Sequence, residues 1–157
     1  MQSSKLEINA AIQIQKPARE VFEAIVDPAK MCNYFISEST GRMEEGKTVR
    51  WKFPEFDQEF PVRVGKIEKD ATISFYWENE GHETMTTITL QPFEINSTVV
   101  KVSEKSRDND EAGLKWLKGN TEGWANFLAC LKAHMEYGIN LRKGSFDFQK
   151  QQAKKQS

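Results

Sequence analysis

The chain has 157 residues, of which 29% are charged and 38% hydrophobic, with 22 Lys and Arg against 23 Asp and Glu. This length, without a change in composition before the last residues, predicts one domain and excludes a two-domain enzyme. The formal net charge of −1 excludes the basic surface of a protein that binds nucleic acid or an anionic membrane nonspecifically. The aromatic share is 11%, which raises the question whether this apolar surface fills a core or lines a pocket.

The two cysteines and the hydropathy pattern predict the compartment. Cys32 and Cys130 lie far apart in the sequence, which favours two reduced thiols over a disulfide framework or a zinc site. No apolar run reaches the length of a signal-peptide core or a membrane span. We therefore expect a soluble, cytoplasmic protein without membrane insertion.

The chain begins with a strand and two short helices. Apolar and polar residues alternate from Leu6 to Ile14, the pattern of a half-buried strand. Pro17 then introduces an apolar helical stripe from Val21 to Val26 that ends at Asp27, and Pro28 is placed to begin a second short helix.

The middle of the chain has the period-two pattern of an antiparallel meander of about five or six strands. One face is apolar and strongly aromatic, whereas the other carries Thr, Lys, Arg and Ser, which is typical of a sheet covered on one side. Turn residues separate the strands: Glu45-Gly46, Lys69-Asp70, Asn79-Glu80-Gly81 and Glu94-Ile95-Asn96.

A long amphipathic helix follows the meander and is predicted to pack across the sheet. Its apolar stripe runs from Trp124 through Leu131 to Gly138. Asp108-Asn109-Asp110-Glu111 would supply the cap and first-turn acids of an upstream extension, with a bend or break near Gly119-Asn120. The tail from 142 to 157 is rich in Gln and Lys and is predicted to be mobile.

Four motifs in this order resemble the SRPBCC, or helix-grip, superfamily. Within it, the chain is similar to single-domain relatives of the activator of 90-kDa heat-shock protein ATPase. The motifs are Ile12-Gln13-Ile14 with Pro17-Ala18-Arg19-Glu20-Val21-Phe22, Asp27-Pro28 to Tyr34-Phe35, Phe75-Tyr76-Trp77, and Gly123-Trp124 with Phe127-Leu128 and Leu131.

This resemblance implies an α+β helix-grip fold. We expect a curved antiparallel sheet of about six or seven strands, two short helices after strand one, and a long C-terminal helix across the sheet. The helix-grip domain would span residues 1–141, and the mobile polar tail residues 142–157.

One motif points to a different function. Gly41 to Thr48 satisfies the phosphate-loop pattern G-x-x-x-x-G-K-[ST]. That loop requires a following helix, whose N-terminus binds the phosphate. The alternating residues after Thr48 instead predict a strand, and Glu44 and Glu45 would place two carboxylates where phosphate should lie. We interpret Glu45-Gly46 as a hairpin turn.

Other catalytic and metal-binding patterns are lacking. The two histidines, His82 in a turn and His134 on the long helix, do not form a metal triad, and no nucleophile elbow is present. The sequence therefore predicts no catalytic residue, no metal site and no cofactor.

Strand alternation places two polar residues on the covered face of the sheet. Glu104 follows the parity of Val100 and Val102, and Thr86 that of Ile88. A buried carboxylate needs a partner, a shifted pKa or water in a cavity; Glu104 at a solvated strand end is the alternative. The fold implied by the resemblance encloses a pocket, for which the predicted ligand-binding residues are Trp51, Phe60, Val62, Phe75, Trp77, Thr86, Ile88, Glu104, Trp124 and Phe127. A solid core built from the same residues is the other interpretation.

Three functions remain open. The favoured hypothesis is binding of a small hydrophobic or aromatic molecule in this pocket. The superfamily also contains polyketide cyclases and dehydratases, and Glu104 would then have to be the acid or base that enolises the substrate. A chaperone partner, the 90-kDa heat-shock protein, is implied by the family resemblance, although the larger activators carry a second domain for which we expect a chain of this length to have no room.

Overall fold

The computed structural model describes residues 5–150 and has the predicted α+β helix-grip fold. The first elements are β1 (Lys5–Ile14), α1 (Ala18–Val26), α2 (Pro28–Met31) and β2 (Glu38–Ser39). The others are β3 (Thr48–Lys52), β4 (Glu59–Glu68), β5 (Thr72–Asn79), β6 (His82–Phe93), β7 (Ser97–Asp108) and α3 (Glu111–Tyr137).

The strands form one antiparallel sheet in the order β1-β7-β6-β5-β4-β3-β2. Strands β2 to β7 follow one another as the predicted meander, and β1 adds to β7. Alternation along β7 buries Val100, Val102 and Glu104 and exposes Lys101. Because successive side chains of a strand point to opposite faces, the predicted inward direction of Glu104 is confirmed.

The turns that join the strands use backbone conformations suited to tight hairpins. Glu80 and Gly81 have φ angles of 53° and 80° and connect the directly paired residues Asn79 and His82. Positive φ at both central residues gives a turn whose twist matches that of the flanking strands. The turn predicted at Asn79-Glu80-Gly81 is confirmed.

The phosphate-loop pattern at 41–48 leads into a strand, as predicted. Thr48 begins β3, which pairs with β4, and Lys47 forms an exposed ion pair with Glu44 at 3.0 Å. Without a helix after the loop, no aligned amides face a phosphate. The segment is a connection between strands.

Helix α3 packs against one face of the sheet and buries the predicted apolar stripe. Trp124, Phe127, Leu128 and Leu131 are all buried, and the helix packs mainly against β1. At its start, Asp110 accepts a hydrogen bond of 2.7 Å from the backbone N–H of Gly113. At its end, Gly138 has a φ of 65°, the left-handed conformation that terminates many helices.

The predicted break near Gly119-Asn120 was wrong, because α3 runs unbroken through both residues; the alternative of a bend there stays a prediction. A glycine inside a helix costs about 1 kcal/mol relative to alanine. Trp116 and Trp124, one on each side of Gly119, are both buried, and burial of two such rings outweighs that cost.

Two further expectations concern the termini and the thiols. The predicted mobility of residues 142–157 stays a prediction; residues 151–157 lie outside the described part of the chain, and Arg142 forms an ion pair with Glu55. Cys32 and Cys130 are free cysteines. Within residues 5–150, no helix is both long and apolar enough to cross a membrane.

Two alanine substitutions in α3 are predicted to have opposite effects on stability. A Cβ at Gly113 would lie 1.9 Å from the carbonyl oxygen of Asp108, whereas a Cβ at Gly119 meets nothing within 4 Å. Gly113→Ala should therefore lower the free energy of unfolding by about 2 kcal/mol or more, because backbone has to move. Gly119→Ala should raise it by about 0.5–1 kcal/mol through helix propensity. Urea unfolding of both variants checks this, and equal effects would contradict the packing of α3 against the end of β7.

Candidate functional site

A cleft of about 780 Å³ lies between the middle of α3 and one end of the sheet. Its other walls are the loop after β3, the β5–β6 turn, Phe35 after α2, and the segment that follows α3. The volume falls within the range of about 300–1,000 Å³ that small-molecule sites occupy. Side chains therefore fill only part of the space between α3 and this end of the sheet.

The cleft walls are mainly aromatic. Rings pack edge to face along the walls, with centroid separations of 4.7 Å between Phe35 and Phe127 and 5.6 Å between Phe53 and Phe60. Such contacts hold the rings in place. The aromatic lining residues are Phe35, Phe53, Phe56, Phe60, Trp77, Trp124, Phe127 and Phe146.

Polar side chains complete the lining, and most of them carry amides. Side-chain amides both donate and accept hydrogen bonds, so they can orient an otherwise apolar ligand. The amide residues are Gln58, Asn79, Asn120, Asn126 and Gln149, and the charged residues are Glu78, Glu80, Glu122 and Arg142.

Glu104 lies behind the aromatic wall and is fully buried, with 0% of its surface exposed. One carboxylate oxygen, Oε1, accepts hydrogen bonds from Trp124 Nε1 at 2.8 Å and Asn120 Nδ2 at 3.2 Å. The other, Oε2, accepts from Trp77 Nε1 at 3.0 Å and Thr84 Oγ1 at 2.5 Å. Four donors from β5, β6 and α3 therefore converge on a single residue of β7.

This arrangement suits an ionised carboxylate, which only accepts hydrogen bonds. All four partners are neutral groups, and within residues 5–150 no Lys, Arg or His forms an ion pair with Glu104. Hydrogen bonds to a charged group are the stronger kind, so they offset much of the cost of burial. The partner that the sequence required for a buried Glu104 is this set of donors, and the alternative of a solvated strand end was wrong.

Thr86 lies directly opposite Glu104 on β6 but takes no part in the network. Its side chain is fully buried, and Oγ1 has no hydrogen-bond partner within the described residues. Thr84, two residues earlier on the same face, donates to Glu104 instead. The hydroxyl of Thr86 is an unsatisfied polar group in the core.

The segment after α3 closes one side of the cleft through an ion pair. Arg142 makes two hydrogen bonds to the carboxylate of Glu55, of 2.9 and 3.2 Å, and only 2% of the Glu55 side chain is exposed. The guanidinium also lies over the rings of Phe53 and Phe146, 5.5 and 5.0 Å from their centroids. Paired charges on a planar fork fix direction as well as distance, so Arg142 anchors this segment to the loop after β3.

The structure separates the ten predicted ligand-binding residues into two groups. Phe60, Trp77, Trp124 and Phe127 line the cleft. The other six are buried beneath it and do not line it: Trp51, Val62, Phe75, Thr86, Ile88 and Glu104. The reason is depth, because alternation shows which face of the sheet a side chain is on and not what packs over it.

Several lining residues were missed by the sequence predictions. Phe56 lies in the loop after β3, Phe146 and Arg142 lie in the predicted tail, and Phe35 follows α2. A signal was present, since aromatic residues at 53, 56 and 60 flank Pro54, and Phe146 interrupts a polar tail. Several aromatic residues close together in otherwise polar segments indicate that these segments pack against the domain or line a binding site.

The histidines do not build a chemical site. His82 is exposed in the β5–β6 hairpin, and His134 stacks on Tyr34 with ring centroids 5.5 Å apart. Burial lowers the pKa of His134, and the charge of Lys30 lowers it further. In the described part of the chain, no group of three or more His, Cys, Asp or Glu is placed to hold a metal ion.

Residues 15–136 match the family model described as Activator of Hsp90 ATPase homolog 1-like protein. The chain belongs to this family. A comparison with curated proteins finds no match.

Solved structures with the same fold support the assignment. The chain is 33% identical to protein SSP2350 from Staphylococcus saprophyticus, covering 87% of this chain and 96% of that one with a TM-score of 0.77. DynU16, a putative protein in the dynemicin biosynthetic locus, is 22% identical, with 85% and 48% covered and a TM-score of 0.75. The Aha1 dimer from Colwellia psychrerythraea is 19% identical, with 85% and 98% covered and a TM-score of 0.73. The last two show similarity of fold alone.

Replacing two threonines of β6 tests the Glu104 network. Thr84→Val removes a donor to a buried carboxylate and should lower the free energy of unfolding by about 1.5–3 kcal/mol. Thr86→Val is the matched control, because it has the same size and burial but removes an unpartnered hydroxyl; it should be neutral or stabilising by up to about 1 kcal/mol. Chemical denaturation measures both, and the reverse order of stability would contradict the hydrogen bonding described.

Proposed function

We propose that this protein binds a small hydrophobic or aromatic molecule in the cleft between α3 and the end of the sheet. The observation that carries the proposal is the cleft itself, which has eight aromatic side chains in its lining and a volume of about 780 Å³. Burial of ligand surface against fixed aromatic rings supplies affinity without ordering the walls anew. Amides such as Asn79 and Asn126 supply polar contacts that orient the ligand.

The geometry favours binding over catalysis at Glu104. A general acid or base has to reach the proton that it transfers, either directly or through one water. Both oxygens of Glu104 are occupied by donors, and the residue is absent from the cleft lining. The cyclase hypothesis therefore loses the residue on which it depended, and Glu104 is better explained as the anchor of Trp77 and Trp124.

Two other expectations rest on the family alone. A chaperone partner stays a prediction, since the family description names an activator of Hsp90 ATPase and no contact residue follows from it. The cytoplasmic location likewise stays a prediction from the two free thiols.

Filling the cleft from α3 tests the proposed function. Gly119 and Gly123 are one helical turn apart, both line the cleft, and a Cβ at either position meets nothing within 4 Å. The double variant Gly119→Leu/Gly123→Leu should fold, because leucine is a better helix former than glycine. It should weaken binding of the neutral dye N-phenyl-1-naphthylamine by about tenfold or more, because the two side chains occupy ligand volume.

The control carries the same leucines on the same helix, outside the cleft. Lys118→Leu/Ala125→Leu alters two exposed positions that do not line it. Dye fluorescence titration of the wild type and both variants gives the dissociation constants. Equal affinity of the two variants, or no saturable binding to the wild type by a panel of neutral apolar dyes, would contradict the proposal.

A further inference from the structure

The charge distribution around the cleft points to the class of ligand, on the basis of the function proposed above. Glu104 is a buried carboxylate whose four partners are neutral. Three of them, Trp77, Trp124 and Asn120, also line the cleft. The carboxylate therefore lies directly behind the wall that a ligand would contact, where the low local dielectric screens its charge poorly.

The two indoles transmit this charge to the cleft. Each directs its N–H to Glu104, and their ring centroids lie 5.7 Å apart with an interplanar angle of 39°. A hydrogen bond to an anion polarises the donor, which adds negative charge to the ring. Since the face of an indole already attracts cations more strongly than other aromatic rings do, this wall favours a positive ligand group.

The mouth of the cleft adds charge of the same sign. Glu78 and Glu80 lie at the β5–β6 turn and Glu122 on α3, and all three are exposed members of the lining. Among the described lining residues Arg142 is the single cation, and both of its terminal nitrogens bind Glu55. An anionic ligand would thus meet repulsion at the mouth, and none of the described lining residues would offer it a free cation.

From these observations we infer that the cleft selects an aromatic or apolar molecule with a positive charge, such as a protonated amine. Molecules of the same shape with a carboxylate are disfavoured. The selectivity comes from Glu104 behind the indole wall and from the three acids at the mouth.

Three naphthalene derivatives that differ in charge test the inference. The probes are 1-naphthylmethylamine, which is a cation at pH 7, neutral 1-naphthylmethanol, and anionic 1-naphthylacetate. Competition against N-phenyl-1-naphthylamine on the full chain gives each dissociation constant. We expect the amine to bind about tenfold or more tightly than the carboxylate at low salt, with a smaller ratio at high salt.

Two triple variants separate a local field from the net charge of the protein. Glu78→Gln/Glu80→Gln/Glu122→Gln removes the acids at the mouth. Glu20→Gln/Glu94→Gln/Glu111→Gln changes the net charge equally at exposed positions outside the lining. The amine-to-carboxylate ratio should fall by about threefold or more in the first variant and stay unchanged in the second.

The outcomes distinguish this inference from the proposed function. Equal binding of the three probes, or tighter binding of the carboxylate, overturns the inference and leaves apolar ligand binding intact. A ratio that falls equally in both triple variants, or in neither, also overturns it. Failure of the neutral dye itself to bind overturns both proposals together.

Discussion

The buried carboxylate of Glu104 is the constraint on which the rest of the site depends. A charge in the core is tolerated only where hydrogen bonds replace its hydration, and here the replacements come from three other elements: Trp77 on β5, Thr84 on β6, and Asn120 with Trp124 on α3. Each donor has to lie within about 3 Å of its oxygen. One residue of β7 therefore sets the distance between the sheet and the long helix at the end where the cleft opens.

The same network explains how the cleft keeps its shape without being filled. Side chains beside an open volume tend to relax into it, because close contact is favourable. Trp77 and Trp124 resist this because their indole N–H groups are hydrogen-bonded to Glu104. Phe127 packs edge to face against both Trp124 and Phe35, which supports the wall from the other side. The interior is therefore a solid core at the centre of the sheet and an open cleft at its end. The aromatic residues therefore pack as a core in one part of the molecule and line a cleft in another.

Sequence reasoning predicted the fold and the inward direction of side chains but not their depth. Period-two alternation identified the strands, and it placed Glu104 and Thr86 correctly on the covered face. Alternation carries no information on what packs over a side chain, so Trp51, Phe75 and Ile88 were assigned to the pocket although they are buried and do not line the cleft. The break predicted from the glycines of α3 failed for a similar reason. Local helix propensity does not reveal that Trp116 and Trp124, on either side of Gly119, are both buried. Arg142 was missed because its ion pair with Glu55 joins residues far apart in the sequence and leaves no local pattern, and Phe146 was missed with it because it packs against Arg142.

Arg142 also attaches the segment after α3 to the rest of the domain. A boundary at residue 141 follows from composition, yet residues 142, 146 and 149 line the cleft, and the ion pair of Arg142 leaves almost none of the Glu55 side chain exposed. Removing one partner of such a pair leaves the other charge unpaired and poorly solvated, so Glu55 in the loop after β3 favours the attached position of this segment. One wall of the cleft is thus held by Glu104, whose hydrogen-bond partners are neutral. Another wall is held by Glu55, which pairs with Arg142. The two acids act in the same direction, because Glu104 places a negative charge behind the wall and Glu55 pairs with Arg142, the single cation among the described lining residues.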